Sequence, residues 1–232
     1  MASLDIHIEF KWNDGDDPFV VPSKHKDEYF VVKTAIDTLG QISSYAAAQL
    51  AAQFRTHAFS ILIVRDTARL IRWDREGAIV TEPIAYNNDP SLVRFLALYS
   101  QASFQLRGMD TTVLRATANE AETARKKLEL PDNTKMFKTS IPSAMPRESD
   151  LTIVFPFPEI IPLRPACRAT RACSAYSTDQ KRVVFFKDSW RVNIPDTQLE
   201  GTIYATLQAA NVHFVPRCLA HGEVSHMPEQ VM

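Results

Sequence analysis

Residues 182–207 read RVVFFKDSWRVNIPDTQLEGTIYATL. The first part is β-branched and aromatic and ends in Lys187. Together with Ala172–Ser177 and the polar Thr178-Asp179-Gln180-Lys181 between them, it predicts a β-hairpin. Pro195 and Asp196 then supply a helix start, and Glu200, Ile203, Tyr204 and Leu207 follow at helical spacing, so Thr197–Ala209 is predicted helical. Lysine at a strand end and glutamate on the next helix can meet. An ammonium on a flexible stem wanders unless a carboxylate fixes it and keeps it protonated. Spacing alone leaves this open, because such a pair occurs in many proteins that mix strands and helices.

Composition narrows the classes. Of 232 residues, 26 are Lys or Arg and 27 are Asp or Glu, a formal net charge of -1, which argues against a protein that coats nucleic acid or a polybasic membrane surface. Hydrophobics at 45% and charges at 23% are globular values, so wholesale disorder is excluded. The 6 glycines make any glycine-dependent phosphate loop a matter for residue-by-residue inspection. Cys167, Cys173 and Cys218 form no CxxC pair and read as free thiols. The N-terminus meets Asp5 and Glu9 early and lacks the apolar core of a signal peptide, and no apolar run approaches a membrane span. The expected location is intracellular, cytoplasmic or nuclear, with no membrane partner and no nucleic-acid partner.

Working outward, residues 4–11 alternate, with Leu4, Ile6, Ile8 and Phe10 on one face and Asp5, His7, Glu9 and Lys11 on the other, as in a half-buried strand. Helical patterning runs from about Lys26 to Phe54, with a break expected at Gly40. Phe59–Val64, Ala68–Trp73 and Ala78–Val80 read as an antiparallel meander, and helices are expected at Ser91–Tyr99 and Ala118–Leu128. The Pro-rich, polar stretch 131–150, with a weak strand at Met136–Thr139, is the expected boundary. The fold class is α+β: an N-terminal mixed domain over 1–145, then 146–232 built of antiparallel strands plus one helix.

The phrases VVFFKDSWR, EGTIYATL and NVHFVPRCLAHGEV resemble the fungal-type protein kinase family. So do the upstream GQISSYAAAQLAAQFRTHAFSILIV, ARLIRWDREGAIVTEPI and RGMDTTV. The likeness covers about residues 9 to 224 in one order. It implies a protein-kinase-like fold, here an N-terminal extension plus a partial N-lobe, with ATP and Mg²⁺ as cofactors and Ser/Thr phosphoryl transfer to a protein substrate. By match, Lys187 is the phosphate-binding lysine and Glu200 its helix partner.

Two departures qualify what is expected. Cys167-Arg168-Ala169-Thr170-Arg171-Ala172 stands in register with the glycine loop, so Cys167, Ala169 and Ala172 occupy its cofactor-binding glycine positions. Where the family reads more like GRATRG, Cys167 and Ala172 are the losses, and added side chains should weaken nucleotide binding. Arg168 and Arg171 read as a solvated loop surface. Neither H-R-D-x-x-x-x-N nor D-F-G follows, so the expectation is a truncated, pseudokinase-like chain that transfers no phosphate by itself.

A rival reading concerns Glu9-Phe10-Lys11, an E-x-K on a strand followed by a helix bearing Gln41 and Tyr45. It vaguely resembles restriction-endonuclease-like folds. The pattern is weak, and a degenerate scaffold or a non-catalytic binding or regulatory module is the reading it leaves. Trp73-Asp74-Arg75 reads as a buried indole with an internal ion pair, His57 as a satisfied histidine, and Glu122 with Lys126 as ordinary helix support.

Overall fold

The computed structural model describes residues 4–19, 33–143, 149–158, 170–190 and 198–223. They fall into two compact units, one within residues 1–111 and 161–170 and one within residues 112–160 and 171–232. The two units meet in sequence near Thr112. The reason is pairing: the weak strand seen at Met136 extends to Ile141 and is bonded along its whole length to Leu151–Pro156. The proline-rich stretch is therefore a connection inside the second unit.

In the first unit, strands β1 (Ile6–Lys11), β2 (Ala58–Val64), β3 (Thr67–Trp73) and β4 (Ala78–Val80) lie in that order in one sheet, with helix α1 (Lys33–Ala52) between β1 and β2 in sequence. β2, β3 and β4 form the expected antiparallel meander, while β1 pairs parallel to β2. Ile42, Ala46 and Leu50 recur every four residues on α1 and pack on Ala58, Leu62, Val64, Ile71 and Trp73. Fully burying a side chain the size of Leu50 contributes about 2 kcal/mol. The Trp73 indole is buried and donates to Ser60 Oγ at 2.6 Å. Its neighbour Asp74 pairs with Arg72, and Arg75 instead donates to the Leu50 carbonyl. α1 runs unbroken through Gly40; the packed face outweighs the roughly 1 kcal/mol cost of an interior glycine. Its expected first turns lie outside the described residues. Helix α2 (Ser91–Gln101) sets Phe95 and Tyr99 edge-on to Phe59.

The alternation of β1 is real, but its faces are the reverse of a solvated polar side. Register places His7, Glu9 and Lys11 beside Ser60, Leu62 and Val64, the face α1 covers. His7 is 9% exposed, whereas Ile8 and Phe10 on the other face are 45% and 67% exposed. The reversal has a local cause: α1 presents Gln41 and Tyr45 to these polar groups, with Lys11 bonded to Gln41. Asp5 is drawn away to Arg55 and Arg107.

In the second unit, β5 (Leu114–Arg115), β6 (Met136–Ile141), β7 (Leu151–Pro156), β8 (Arg171–Ser177) and β9 (Arg182–Asp188) form a five-stranded antiparallel sheet in sequence order. Helix α3 (Ala118–Leu128) opens on a capping box between Thr117 and Glu120 and packs Ala121 and Ala124 on Met136, Val154 and Tyr176. The two-residue strand β5 is too short to announce itself by alternation. Helix α4 (Glu200–Ala209) follows β9. Among the described residues the chain is α+β, with four α-helices and two sheets.

Candidate functional site

The β8–β9 hairpin carries the first half of the site. Its turn is held by Gln180 N–H donating to Ser177 Oγ, and by Asp179 accepting from Thr152 N–H at 2.7 Å. Lys181 closes it with φ 50°, the left-handed conformation such a turn needs. Alternation then sorts β9. Phe186 turns inward and meets Phe155 with ring centroids 4.9 Å apart. Val183, Phe185 and Lys187 share the opposite face, where Phe185 is 73% exposed. Across the ladder from Lys187 stands Ala172, so two of the sequence-predicted residues are cross-strand partners.

The second half comes from α4. Glu200 is its first residue, where a carboxylate is favoured by the helix dipole. Lys187 Nζ donates to Glu200 Oε1 at 2.7 Å and to Oε2 at 2.6 Å. The side chains keep 41% and 44% of their exposure, so the pair opens to solvent. A contact of this kind holds the ammonium in place more than it stabilises the fold.

Other candidates fare differently. Cys167 and Ala169, with Arg168, lie outside the described residues. Arg171 is not on a solvated loop: it begins β8, is 5% exposed, and stands across the ladder from Asp188. The strand starts one residue earlier than the hairpin pattern suggests, and that carries the guanidinium inside. Cys173 and Cys218 are free thiols. Burial pushes the Cys218 thiol up, and the Glu200 charge adds to the shift, which disfavours the thiolate.

Sequence reasoning missed what holds α4. Residues 218–222 run back across the start of the helix: His221 packs on Gly201, Ala220 bridges to Ser143, and Gly222 lies against Pro142. The only sequence signal was Gly201, a glycine inside a predicted helix directly after the candidate glutamate. Among the described residues, no group of three or more His, Cys, Asp or Glu side chains could hold a metal ion, and no helix is long and apolar enough to cross a membrane.

A five-stranded antiparallel sheet whose edge-strand lysine is gripped by a carboxylate on the following helix is a kinase-like arrangement. A family model described as fungal protein kinase matches residues 10–231, and the chain belongs to that family. Comparison with the curated proteins and with the solved structures returns no match.

Proposed function

We propose that the second unit forms the nucleotide-phosphate-binding lobe of an ATP-dependent Ser/Thr protein kinase, with the first unit as its N-terminal extension. The observation that carries this reading is the two-oxygen grip of Glu200 on Lys187. An ammonium has three N–H donors; the carboxylate engages two and leaves one for a phosphate oxygen. Ala172 across the ladder adds only a methyl group beside it. The donor set therefore fits the phosphate end of ATP, which when bound supplies the phosphoryl group to be transferred. Lys187 would neutralise phosphate charge, and Glu200 would hold Lys187 in its charged form and in position.

Magnesium finds no such fit, since no acidic group able to hold it comes together among the described residues. The 232 residues also contain no H-R-D-x-x-x-x-N and no D-F-G, the motifs that take up the hydroxyl proton and ligate the metal. These residues by themselves are expected to contact nucleotide without transferring phosphate. A second reading, a non-catalytic binding or regulatory module, is favoured by the exposure of the ion pair, because a solvated lysine holds phosphate weakly.

A fluorescent ATP analogue titrated into the full chain tests both. The expected result is weak, saturable binding that falls about tenfold, roughly 1.4 kcal/mol, in Lys187→Met. Equal binding in the wild type and in Lys187→Met would overturn the assignment of the lysine.

A further inference from the structure

Strand β1 is the outer strand of the first unit's sheet: among the described residues it pairs with β2 on one side and with no strand on the other. The Lys11 carbonyl accepts from Arg65 N–H at 3.1 Å, so Lys11 turns its backbone groups to the β2 side. Successive residues of a strand turn their N–H and C=O groups to opposite edges. Glu9 and His7 therefore face β2 as well, and Ile6, Ile8 and Phe10 present theirs to the outer edge. At the beginning of the strand that edge is filled, because the Leu4 carbonyl accepts from Gln49, Gln53 and Arg55. From Ile8 onward it is open.

The usual devices that blunt an edge are missing from β1. The strand has six residues and no proline, and its register with β2 runs without a bulge. Its lysine is turned to the α1 side and bonded to Gln41. The side chains beside the outer edge are apolar instead: Ile8, Phe10 and Trp12, the last directly after the strand, are 45%, 67% and 82% exposed. A row of unpaired backbone groups flanked by bare apolar side chains is a template for another strand.

The sequence of the strand fits its own reverse. With two copies antiparallel about a twofold axis at Phe10, that residue and the partner's Phe10 exchange both N–H···O bonds, and Ile8 faces the partner's Trp12. The apolar side chains of both copies then continue in one row, where aromatic cross-strand pairs are favourable. On the other face Glu9 stands opposite the partner's Lys11 in a non-hydrogen-bonded pair, whose Cα atoms approach to about 4.5 Å. Both side chains have bonding capacity left. Within the chain Glu9 meets Lys11 through one carboxylate oxygen, and Lys11 engages Glu9 and Gln41 with two of its three N–H donors. An axis at Glu9 would instead set carboxylate against carboxylate. We propose that β1 pairs with β1 of a second copy of this chain about a twofold axis at Phe10, joining two four-stranded sheets into one. A strand that meets itself must satisfy its own charges, and in this register β1 does. The proposal concerns the first unit and is independent of the role of Lys187.

Sedimentation equilibrium of the full chain across the micromolar range tests it. We expect the weight-average mass to climb from one chain to two and to stop there, as a closed twofold requires. Phe10→Lys sets two ammonium groups at the axis and should raise the dimer dissociation constant about tenfold or more, with the near-ultraviolet circular dichroism unchanged. Should that variant not fold, Phe10→Pro reads the same edge, since it removes an N–H that points away from β2. Lys11→Glu should weaken the dimer, and adding Glu9→Lys to it should restore the dimer, because opposite charges face each other again. Phe185→Lys, which charges the exposed aromatic of β9, should leave the dimer intact. A chain that stays monomeric throughout, leaving the edge to a strand of another protein, would overturn the proposal. So would growth past two chains, or a dimer that survives Phe10→Lys and is lost in Phe185→Lys.

Discussion

Gly201 and His221 pack so closely that a Cβ on Gly201 would lie 2.0 Å from the His221 Cγ. The contact falls one residue after the glutamate that holds Lys187, and the same short segment is tied to Ser143 and Pro142. Glu200 is thus placed by a strap from later in the chain as well as by its own helix. Helix propensity alone would make Gly201→Ala stabilising by about 1 kcal/mol. The clash has the opposite sign and costs typically 1–3 kcal/mol. We expect Gly201→Ala to lower the urea midpoint and to weaken binding of the ATP analogue. A raised midpoint with unchanged binding would mean that the strap does not position Glu200.

Removing the ion pair should barely change stability. Both partners are more than a third exposed, so solvent screens their attraction. A double-mutant cycle with Lys187→Met and Glu200→Gln should return a coupling of about 0–1 kcal/mol in urea denaturation. A coupling above about 2 kcal/mol would indicate a pair far better desolvated than the one described.

The first unit should weaken in mild acid. His57 is 7% exposed, and burial pushes its pKa down to about 4, with the Arg72 and Arg55 charges acting in the same direction. Its ring nitrogens face the Leu106 carbonyl and Thr56 Oγ1; burial keeps it neutral, against the Leu106 carbonyl, which favours the protonated ring. The folded pKa lies below the ordinary 6.5 of the unfolded chain, so between those values the unfolded state binds the extra proton. Stability is therefore full above about pH 6.5 and declines toward pH 4, by on the order of 3 kcal/mol for this group. His7 is lowered for the same reason and adds to the trend. Urea midpoints followed by tryptophan emission should fall across this window, and His57→Gln should flatten the fall.

In the second unit the carboxylate at the start of α3 has the same pH sign as the buried histidine, in a more acidic window. The Thr117 backbone and hydroxyl groups hold Glu120 below the usual carboxylate range, and Lys138 adds to this. The stabilisation it brings is present above the ordinary carboxylate value and is lost as pH falls through the depressed one. Thr117→Ala removes the cap and should cost about 1 kcal/mol at neutral pH, read as a shift in urea midpoint. No change would mean that the packing of Ala121 and Ala124 alone sets the helix start.

Much of the architecture was legible in the chain. Helix α3 and strand β4 fall at the expected residues because one carries a capping box and the other is bracketed by a turn. The β8–β9 hairpin follows from period-2 alternation, while the pairing of Lys187 with Glu200 was left open by spacing and implied only by the family resemblance. Other features were not legible for stated reasons. The parallel pairing of β1 with β2 spans the whole of α1, and nothing local distinguishes it from an antiparallel pairing. The division near Thr112 depends on the β6–β7 ladder, which joins segments across a stretch that looks like a linker.

Local chemistry along the backbone, then, was enough to determine the element types, the lysine at a strand end and the glutamate on the helix after it. Periodicity also established that β1 has a polar face and an apolar one. Only the tertiary structure decided that the polar face meets α1, that Arg171 is buried, and that His221 returns to seat the helix bearing Glu200. The physical reason is that alternation and helical spacing define faces relative to their own element. Which face is covered depends on contacts with residues tens or more positions away, and those are set by the summed packing of each unit.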